Sequence, residues 1–209
     1  LCLSLSWLSM QAQALFVLNN RYKQQMHRIA VYIDNSNVFK NIQNQRQSSG
    51  DFSWVALYDP LKLSEILAGN RELEKVNFYC VPPPAWLLQE GEKSKKRHAM
   101  AMKYYAAISK LSKVEVKYGY LQGDKREPTE KNVDTQISSD MVADAALGVY
   151  DTAILISNDG DYMSAVANVK KLGKRVELLF FAGYISGALR HNCDLARRAR
   201  KSHFQRLVF

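Results

Sequence analysis

The chain has 209 residues, a length that allows one ordinary domain or one domain with an appended segment. Apolar residues make up 47% of it and charged residues 23%, a globular composition that excludes a disordered acidic or basic chain and a collagen-like protein. The net charge of +9 favours a polyanionic partner, nucleic acid first and an anionic membrane surface second. The alternative is that the positive charge only keeps the protein soluble.

The first 20 residues carry no charge, but serine and glutamine residues interrupt their apolar stretch. They therefore make a poor membrane-spanning helix, which needs about 20 mostly apolar residues. A degenerate secretion signal is the alternative, although the positive region that opens such signals is missing. We expect residues 1–25 to be an N-terminal extension outside the fold, residues 26–200 to form one domain, and residues 201–209 to be a basic C-terminal tail.

From residue 29 onward, short apolar runs alternate with helical stretches. The predicted strands cover residues 29–33, 76–81, 114–118, 152–156 and 175–181. One predicted helix follows the first strand, three cover residues 86–111, 135–147 and 162–172, and the last runs from residue 186 into the basic end of the chain. A charged loop is predicted at residues 121–131. Near-continuous apolar strands separated by helices are typical of a parallel sheet covered on both faces. The sequence therefore predicts one α/β domain.

The cysteines indicate the compartment. Cys2, Cys80 and Cys193 are an odd number, lie far apart and show no CxxC spacing, so neither a disulfide framework nor a zinc knuckle is expected. Such cysteine usage favours a reducing compartment, and we expect the protein in the cytoplasm.

Aspartates stand at the carboxyl ends of the predicted strands, where ligands bind in open parallel sheets. Asp34 follows the first strand, Asp159 and Asp161 follow the fourth, and Asp134 begins a helix that enters from the same edge. Because clustered carboxylates repel one another, they need a cation or a bound proton. Oxygen ligands without His or Cys suit Mg²⁺ or Mn²⁺, which can polarise a phosphodiester oxygen and acidify a bound water.

Each of these aspartates alone has an ordinary structural interpretation as a helix cap, a helix-start residue or a turn residue. Asp140 lies six residues after Asp134, which on an ideal helix puts it about 120° away around the axis and about 9 Å further along. Asp144, one turn later, is expected at the surface. It is the convergence of separate segments at one edge that favours a metal site.

Three ordered motifs resemble those of the NYN domain family, which belongs to the PIN-like nucleases. They are Ile33-Asp34-Asn35-Ser36-Asn37, then Lys131-Asn132-Val133-Asp134 with Asp140 six residues later, then Ile156-Ser157-Asn158-Asp159-Gly160-Asp161-Tyr162. The resemblance extends from residue 26 to about residue 195, and Asn158 and Tyr162 stand where the family usually has Gly and Phe. It implies a PIN-like Rossmannoid three-layer sandwich with a mostly parallel central sheet, and a ribonuclease that depends on Mg²⁺ or Mn²⁺.

The resemblance also implies which residues form the site. By motif position, the metal-site aspartates are Asp34, Asp134, Asp140, Asp159 and Asp161, with Asn37 and Ser157 as supporting polar groups. All five aspartates are candidate catalytic residues. We expect Asp34, Asp140 and Asp159 to hold the metal, and Asp134 and Asp161 to complete the acidic rim or bind a second ion. Lys131 precedes Asp134 on the same loop, where it could face a phosphate.

Two basic stretches extend the prediction to the substrate. The candidate RNA-binding residues are Lys93, Lys95, Lys96, Arg97, Arg197, Arg198, Arg200 and Lys201. Such residues contact phosphates without reading sequence, although a solvated charged face has the same composition. Single-stranded or loop RNA is the expected partner and a membrane is not. The sequence leaves open whether the chain forms a homodimer.

Two other functions remain open beside a metal-dependent ribonuclease. In a non-catalytic RNA-binding or adaptor module, the acids are only structural and RNA binding does not respond to EDTA. A phosphatase or phosphotransferase of another acidic Rossmann-like class needs a second Asp two residues after Asp34, and Ser36 in that position disfavours it.

Overall fold

The computed structural model describes residues 27–49, 57–123, 129–183 and 186–208, with the backbone alone for residues 45–49. The predicted N-terminal extension, residues 1–25, lies outside these ranges. The strands within them are β1 (Arg28–Asp34), β2 (Glu72–Cys80), β3 (Val114–Tyr118), β4 (Tyr120–Gln122), β5 (Thr129–Lys131), β6 (Thr152–Ile156), β7 (Arg175–Phe180) and β8 (Leu195–Arg198). The α-helices are α1 (Asn35–Ser49), α2 (Pro60–Ala68), α3 (Glu92–Ile108), α4 (Val133–Ala146), α5 (Met163–Lys171) and α6 (Gly187–Asn192).

Six of the strands form one parallel sheet in the order β3-β2-β1-β6-β7-β8. The chain starts in the middle at β1, adds β2 and β3 on one side, and then adds β6, β7 and β8 on the other. In open α/β sheets, ligands bind beyond the carboxyl ends of the strands where the strand order reverses in this way. The ends of β1 and β6 are therefore the place where the topology favours a site.

Side chains of β1 alternate between the two faces of the sheet, and each face is covered by helices. Ile29, Val31 and Ile33 pack in a buried cluster with residues of α1, α2 and α3. Ala30 and Tyr32 point to the opposite face, where the cluster includes residues of α4, α5 and α6. The predicted α/β fold with a central sheet between two helical layers is confirmed.

The junction between β3 and α4 is tightly packed and aims the start of α4 at the carboxyl edge. β4 and β5 pair as an antiparallel ladder within the stretch that the sequence predicted as a charged loop. A side chain at Gly119 would bring a Cβ within 2.6 Å of Val133 Cγ2 and 2.8 Å of the Lys131 carbonyl oxygen, so the backbones meet closely here. Asn132, immediately before α4, has a left-handed φ of 76°, a conformation that Asn tolerates better than most residues.

The C-terminal part differs from the prediction of one helix that continues into the basic end. Helix α6 stops at Asn192, and Leu195–Arg198 instead forms β8, the edge strand beside β7. Asp194 explains the change, because its carboxylate accepts a hydrogen bond from the Val176 backbone N–H at 2.8 Å and its own N–H donates to the Val176 carbonyl at 2.8 Å. These bonds turn the chain alongside β7.

Residues after β8 pack against the domain. Phe204 and Leu207, in the segment predicted as a basic tail, are both buried, and the Phe204 ring meets the Tyr58 ring edge-on with centroids 5.5 Å apart. Elsewhere, the helix predicted at residues 86–111 is shorter, because a 3₁₀ turn over Ala85–Gln89 precedes α3. Among the helices of the described ranges, none is both long and apolar enough to cross a membrane.

Candidate functional site

β1 ends in a buried carboxylate. Asp34 is 3% exposed, and as the residue before α1 it accepts a hydrogen bond on Oδ1 from the Asn37 backbone N–H at 3.0 Å. Its Oδ2 accepts from the Ser157 hydroxyl at 3.1 Å and lies 2.9 Å from the Tyr162 hydroxyl. Burial raises the pKa of Asp34 to about 6, and the Asp134 charge adds to this rise, while the hydrogen bonds from Asn37, Tyr162 and Ser157 oppose it.

Three further carboxylates gather beside Asp34. One oxygen from each of Asp134, Asp159 and Asp161 lies within 4.8 Å of the other two. Asp134 is in the first turn of α4, whereas the other two flank Gly160 after β6. The Asp159 carboxylate accepts a hydrogen bond from the Asp161 backbone N–H at 3.1 Å, which folds this turn. The side chains remain partly or fully exposed, so solvent and solutes reach them.

Tyr162 connects the buried carboxylate to the cluster. Its side chain is fully buried, and its hydroxyl lies 2.6 Å from Asp134 Oδ1 and 2.9 Å from Asp34 Oδ2. Burial and the two neighbouring carboxylates raise the pKa of Tyr162 far above its ordinary value, so it remains a hydroxyl. A core side chain thus meets residues from β1 and α4 at the carboxyl edge.

A cavity of about 210 Å³ opens over these groups, and it contains two residues that the sequence analysis missed. It is lined by Asp34, Ser36, Asn37, Lys40, Glu130, Asn132, Val133, Asp134 and Asp159. Lys40 follows Asn37 by three residues on α1, a spacing that puts both on one helix face and would have pointed to it. Glu130 carries no such signal. Its carboxylate accepts from the Ser36 hydroxyl at 2.7 Å, and burial, followed by the charge of Asp134, raises its pKa.

The predicted supporting residues tie the strand ends together. The Asn37 side-chain oxygen accepts from the Asn158 backbone N–H at 3.0 Å and from the Asn41 amide at 2.7 Å. The Ser157 hydroxyl, which donates to Asp34, also accepts from the Asp159 backbone N–H at 3.1 Å. These bonds fix the turn after β6 relative to β1, so they hold Asp34 and Asp159 in fixed positions relative to each other.

Asn158, which stands where the related pattern usually has Gly, fills its position with hydrogen bonds. Its side-chain oxygen accepts from the Phe181 backbone N–H at 2.7 Å, and its side-chain N–H donates to the Phe181 carbonyl at 3.1 Å. The residue is 6% exposed. The larger side chain therefore joins the end of β6 to the end of β7 without disrupting the turn.

The structure does not bring Asp140 into the cluster. Its Oδ2 accepts hydrogen bonds from the Lys117 ammonium and the Tyr79 hydroxyl, both at 2.7 Å. This agrees with the rotation along an ideal helix that separates Asp140 from Asp134. The expectation that Asp144 lies at the surface is wrong, because Asp144 is 9% exposed and pairs with Lys75 at 2.8 Å.

The clustered aspartates lack basic partners among the residues that the structure describes. In the described part of the chain, no Lys or Arg forms an ion pair with Asp34, Asp134, Asp159 or Asp161. Mutual repulsion among these carboxylates therefore persists unless protons or a cation relieve it. Their donor atoms are all carboxylate oxygens, which fit Mg²⁺ or Mn²⁺ rather than a thiolate- or imidazole-bound metal.

The first basic stretch starts from the same edge as the acidic cluster. Helix α3 follows β2, and the carboxyl end of β2 lies at that edge, so Lys93, Lys96 and Arg97 near the beginning of α3 are exposed on this side. Lys95 pairs with Glu92 of its own helix at 3.0 Å. Lys131 ends β5 and is exposed beside Asp134, on a groove of about 890 Å³ that continues between α4 and α5.

The second basic stretch is partly committed to the fold. Arg197 of β8 pairs with the buried Glu177 of β7 at 3.1 Å, and Glu177 also pairs with Arg71 at 2.6 Å. Arg198 ends β8, Arg200 and Lys201 follow it, and all three are exposed. Three of the four predicted RNA-binding residues in this stretch are therefore accessible, while Arg197 has a structural partner.

Comparison with known proteins places this geometry in a family. No curated protein matches the chain. A crystal structure of a Vibrio parahaemolyticus protein described as being of unknown function matches with a TM-score of 0.60 and 18% sequence identity, over 86% of this chain and 97% of that one, which shows a shared fold. The family model described as the NYN domain matches residues 28–197, a span that includes all the aspartates of the site. The chain therefore belongs to the NYN domain family, a PIN-like branch of the ribonuclease superfamily.

Proposed function

We propose that the chain is a ribonuclease that hydrolyses phosphodiester bonds with Mg²⁺ or Mn²⁺ held by Asp134, Asp159 and Asp161. The observation that carries this proposal is the approach of the three carboxylate oxygens to within 4.8 Å of one another at the carboxyl edge of an NYN domain. Three like charges at that spacing are unfavourable without a cation. Their exposure leaves room for the waters and the phosphate oxygen that Mg²⁺ retains as ligands.

Asp34 has a different role in this proposal from the three exposed acids. Its Oδ1 already accepts a hydrogen bond from the Asn37 backbone N–H, and its Oδ2 accepts one from the Ser157 hydroxyl and lies beside the Tyr162 hydroxyl. Asp34 nevertheless lines the same cavity as Asp134 and Asp159. It adds negative charge behind the cation and anchors the strand ends. Asp140 is balanced by Lys117, and we assign it no contact with the cation.

The substrate would meet basic groups on both sides of the acids. Lys40 lines the acidic cavity and also a neighbouring cavity of about 270 Å³, so its ammonium can contact a phosphate near the cluster. Lys131 stands on the opposite side, beside the groove between α4 and α5. Lys93, Lys96 and Arg97 attract the RNA backbone further away. Such contacts position a phosphate without selecting its base.

The reaction itself adds water across one phosphodiester bond. The water oxygen bonds to phosphorus, the bond from phosphorus to the leaving ribose oxygen breaks, and one water proton ends on that oxygen. When bound, the cation supplies positive charge that stabilises the transition state and acidifies water. Lys40 and Lys131 hold the phosphate, and Ser157 and Asn37 keep the acidic strand ends in place.

The test is cleavage of labelled single-stranded and structured RNA in Mg²⁺, Mn²⁺ or EDTA. We expect cleavage with either metal and none in EDTA. Asp159→Asn should lower the rate by about 100-fold or more, because a metal contributes several kcal/mol of transition-state stabilisation. Glu65→Gln is the matched control, since it neutralises an exposed carboxylate on α2, far along the chain from the motifs, and should retain full activity.

Two results would contradict the proposal in different ways. Cleavage that persists in EDTA and in Asp159→Asn would point to a contaminating nuclease. RNA that is bound but left uncut under every metal condition would favour the non-catalytic RNA-binding module instead.

A further inference from the structure

The hydroxyl of Tyr162 stands between two carboxylates that come from different parts of the chain. It is 2.6 Å from Asp134 Oδ1, in the first turn of α4, and 2.9 Å from Asp34 Oδ2, at the end of β1. Both distances are within the range of O–H···O hydrogen bonds, but the hydroxyl has one proton and donates to one carboxylate at a time, and the shorter distance favours Asp134. Asp34 and Asp134 are thereby connected through one atom of a third segment, the 3₁₀ turn over Gly160–Tyr162.

The position of this hydroxyl is set by core packing and not by the carboxylates. The Tyr162 side chain is fully buried in the cluster that also contains Val133, Ile137 and Val166. Close packing restricts the ring to a narrow range of positions, and the hydroxyl moves with the ring. Because Asp134 is exposed, its carboxylate would otherwise be free to rotate away from Asp34, whose charge repels it.

We propose that Tyr162 is a positioning residue that orients Asp134 for the cation, an inference that rests on the metal site of the proposed function. The hydroxyl fixes one oxygen of Asp134 by a short hydrogen bond, which directs the carboxylate toward Asp159 and Asp161. Outer residues that orient metal ligands in this way typically change metal affinity by about 10- to 100-fold when they are replaced. Tyr162 touches neither RNA nor cation in this scheme.

The first test measures metal affinity without any substrate. Tyr162→Phe keeps the ring in the core and removes only the hydroxyl. We expect the dissociation constant for Mn²⁺, measured by titration calorimetry or Mn²⁺ paramagnetic resonance, to rise by about tenfold. Tyr150→Phe is the matched control, because Tyr150 is also fully buried and its hydroxyl donates to the Met141 carbonyl at 2.7 Å, away from the cluster. It should lose a similar hydrogen bond and keep wild-type Mn²⁺ affinity.

The second test uses RNA cleavage. For Tyr162→Phe we expect a lower kcat at limiting Mn²⁺, recovery of kcat at excess Mn²⁺, and an unchanged KM for RNA, because the basic residues are intact. Wild-type Mn²⁺ affinity in Tyr162→Phe, or equal losses in both tyrosine variants, would overturn the positioning role while leaving the proposed function standing. A wild-type protein that binds no Mn²⁺ would overturn both.

Discussion

The burial of Asp34 makes the free energy of unfolding depend on pH. Its carboxylate is almost entirely removed from water, and burial raises its pKa to about 6 despite the hydrogen bonds that it accepts from Asn37 and Ser157. The folded protein therefore binds a proton at Asp34 more tightly than the unfolded chain does, in which the pKa is near 3.9. The stability that Asp34 contributes is fully present below about pH 4 and is lost as pH rises to about 6.

The first prediction follows from that sign. In EDTA at pH 7.5, Asp34→Asn should increase the free energy of unfolding by about 1 to 3 kcal/mol, because a buried charge becomes neutral and a two-unit pKa rise corresponds to about 3 kcal/mol. The gain should shrink toward pH 4.5, where Asp34 is protonated. Urea unfolding across this pH range measures it.

Asp151 provides the control of opposite sign. Although partial burial raises it, hydrogen bonds from the backbone and guanidinium of Arg28 lower the pKa of Asp151 to about 2. Its contribution to stability is present above about pH 4 and is lost as pH falls through about 2. Asp151→Asn should therefore destabilise the protein at neutral pH. If Asp34→Asn also destabilises it there, the account of Asp34 is wrong.

At the scale of elements, the sequence predicts the strands well where they are buried on both faces. The runs at residues 29–33 and 152–156 became β1 and β6, because uninterrupted β-branched and apolar residues suit the middle of a parallel sheet. Once those strands are placed, topology brings their ends together. This is why Asp34, Asp134, Asp159 and Asp161 could be predicted to share one edge.

What the sequence does not provide is the set of contacts between elements. Asp140 is paired with Lys117 of β3 and Tyr79 of β2, and no spacing along the chain reveals that pairing. Lys40 and Glu130 join the cavity for the same reason, since α1 and the β4–β5 ladder meet only in the fold. Strand β8 is short and basic, and its course is determined by the hydrogen bond that the Asp194 carboxylate accepts from the Val176 backbone N–H of β7.

The junction of β3 with α4 carries the second prediction. Gly119→Ala places a Cβ 2.6 Å from Val133 Cγ2 and 2.8 Å from the Lys131 carbonyl oxygen, so the backbone of the junction that positions the start of α4, and with it Asp134, should shift. Overpacking of this kind costs about 1 to 3 kcal/mol, and RNA cleavage should fall with it. Thermal unfolding and cleavage assays measure the two effects.

Gly187→Ala is the matched control for this substitution. Gly187 begins α6, and a Cβ built there meets no atom within 4 Å. The stability and activity of Gly187→Ala should equal those of the wild type. If Gly119→Ala behaves like Gly187→Ala, the close approach at this junction does not control the placement of Asp134.

For the whole molecule, charge is arranged so that acids and bases share one edge of the sheet. The net charge is +9, yet the acidic cluster lies where β1 and β6 end. A polyanion would be repelled by these acids alone, so basic residues around them must provide the attraction at long range. In the proposed function, the beginning of α3 provides it at this edge, whereas Lys110, which follows α3, and Lys171, which ends α5, lie near the amino edge.

The last prediction compares basic residues at the carboxyl edge of the sheet with basic residues near its amino edge. In EDTA, which separates binding from cleavage, Lys93→Gln with Lys96→Gln should weaken single-stranded RNA binding and reduce the slope of log affinity against log salt by about 1.4, or about 0.7 for each lost phosphate contact. The same double change at Lys110 and Lys171 removes equal charge from the amino edge and should leave the slope near that of the wild type. Fluorescence anisotropy between about 50 and 200 mM salt measures both. Equal losses in the two double variants would mean that net charge, and not a basic surface beside the acidic cluster, governs RNA binding.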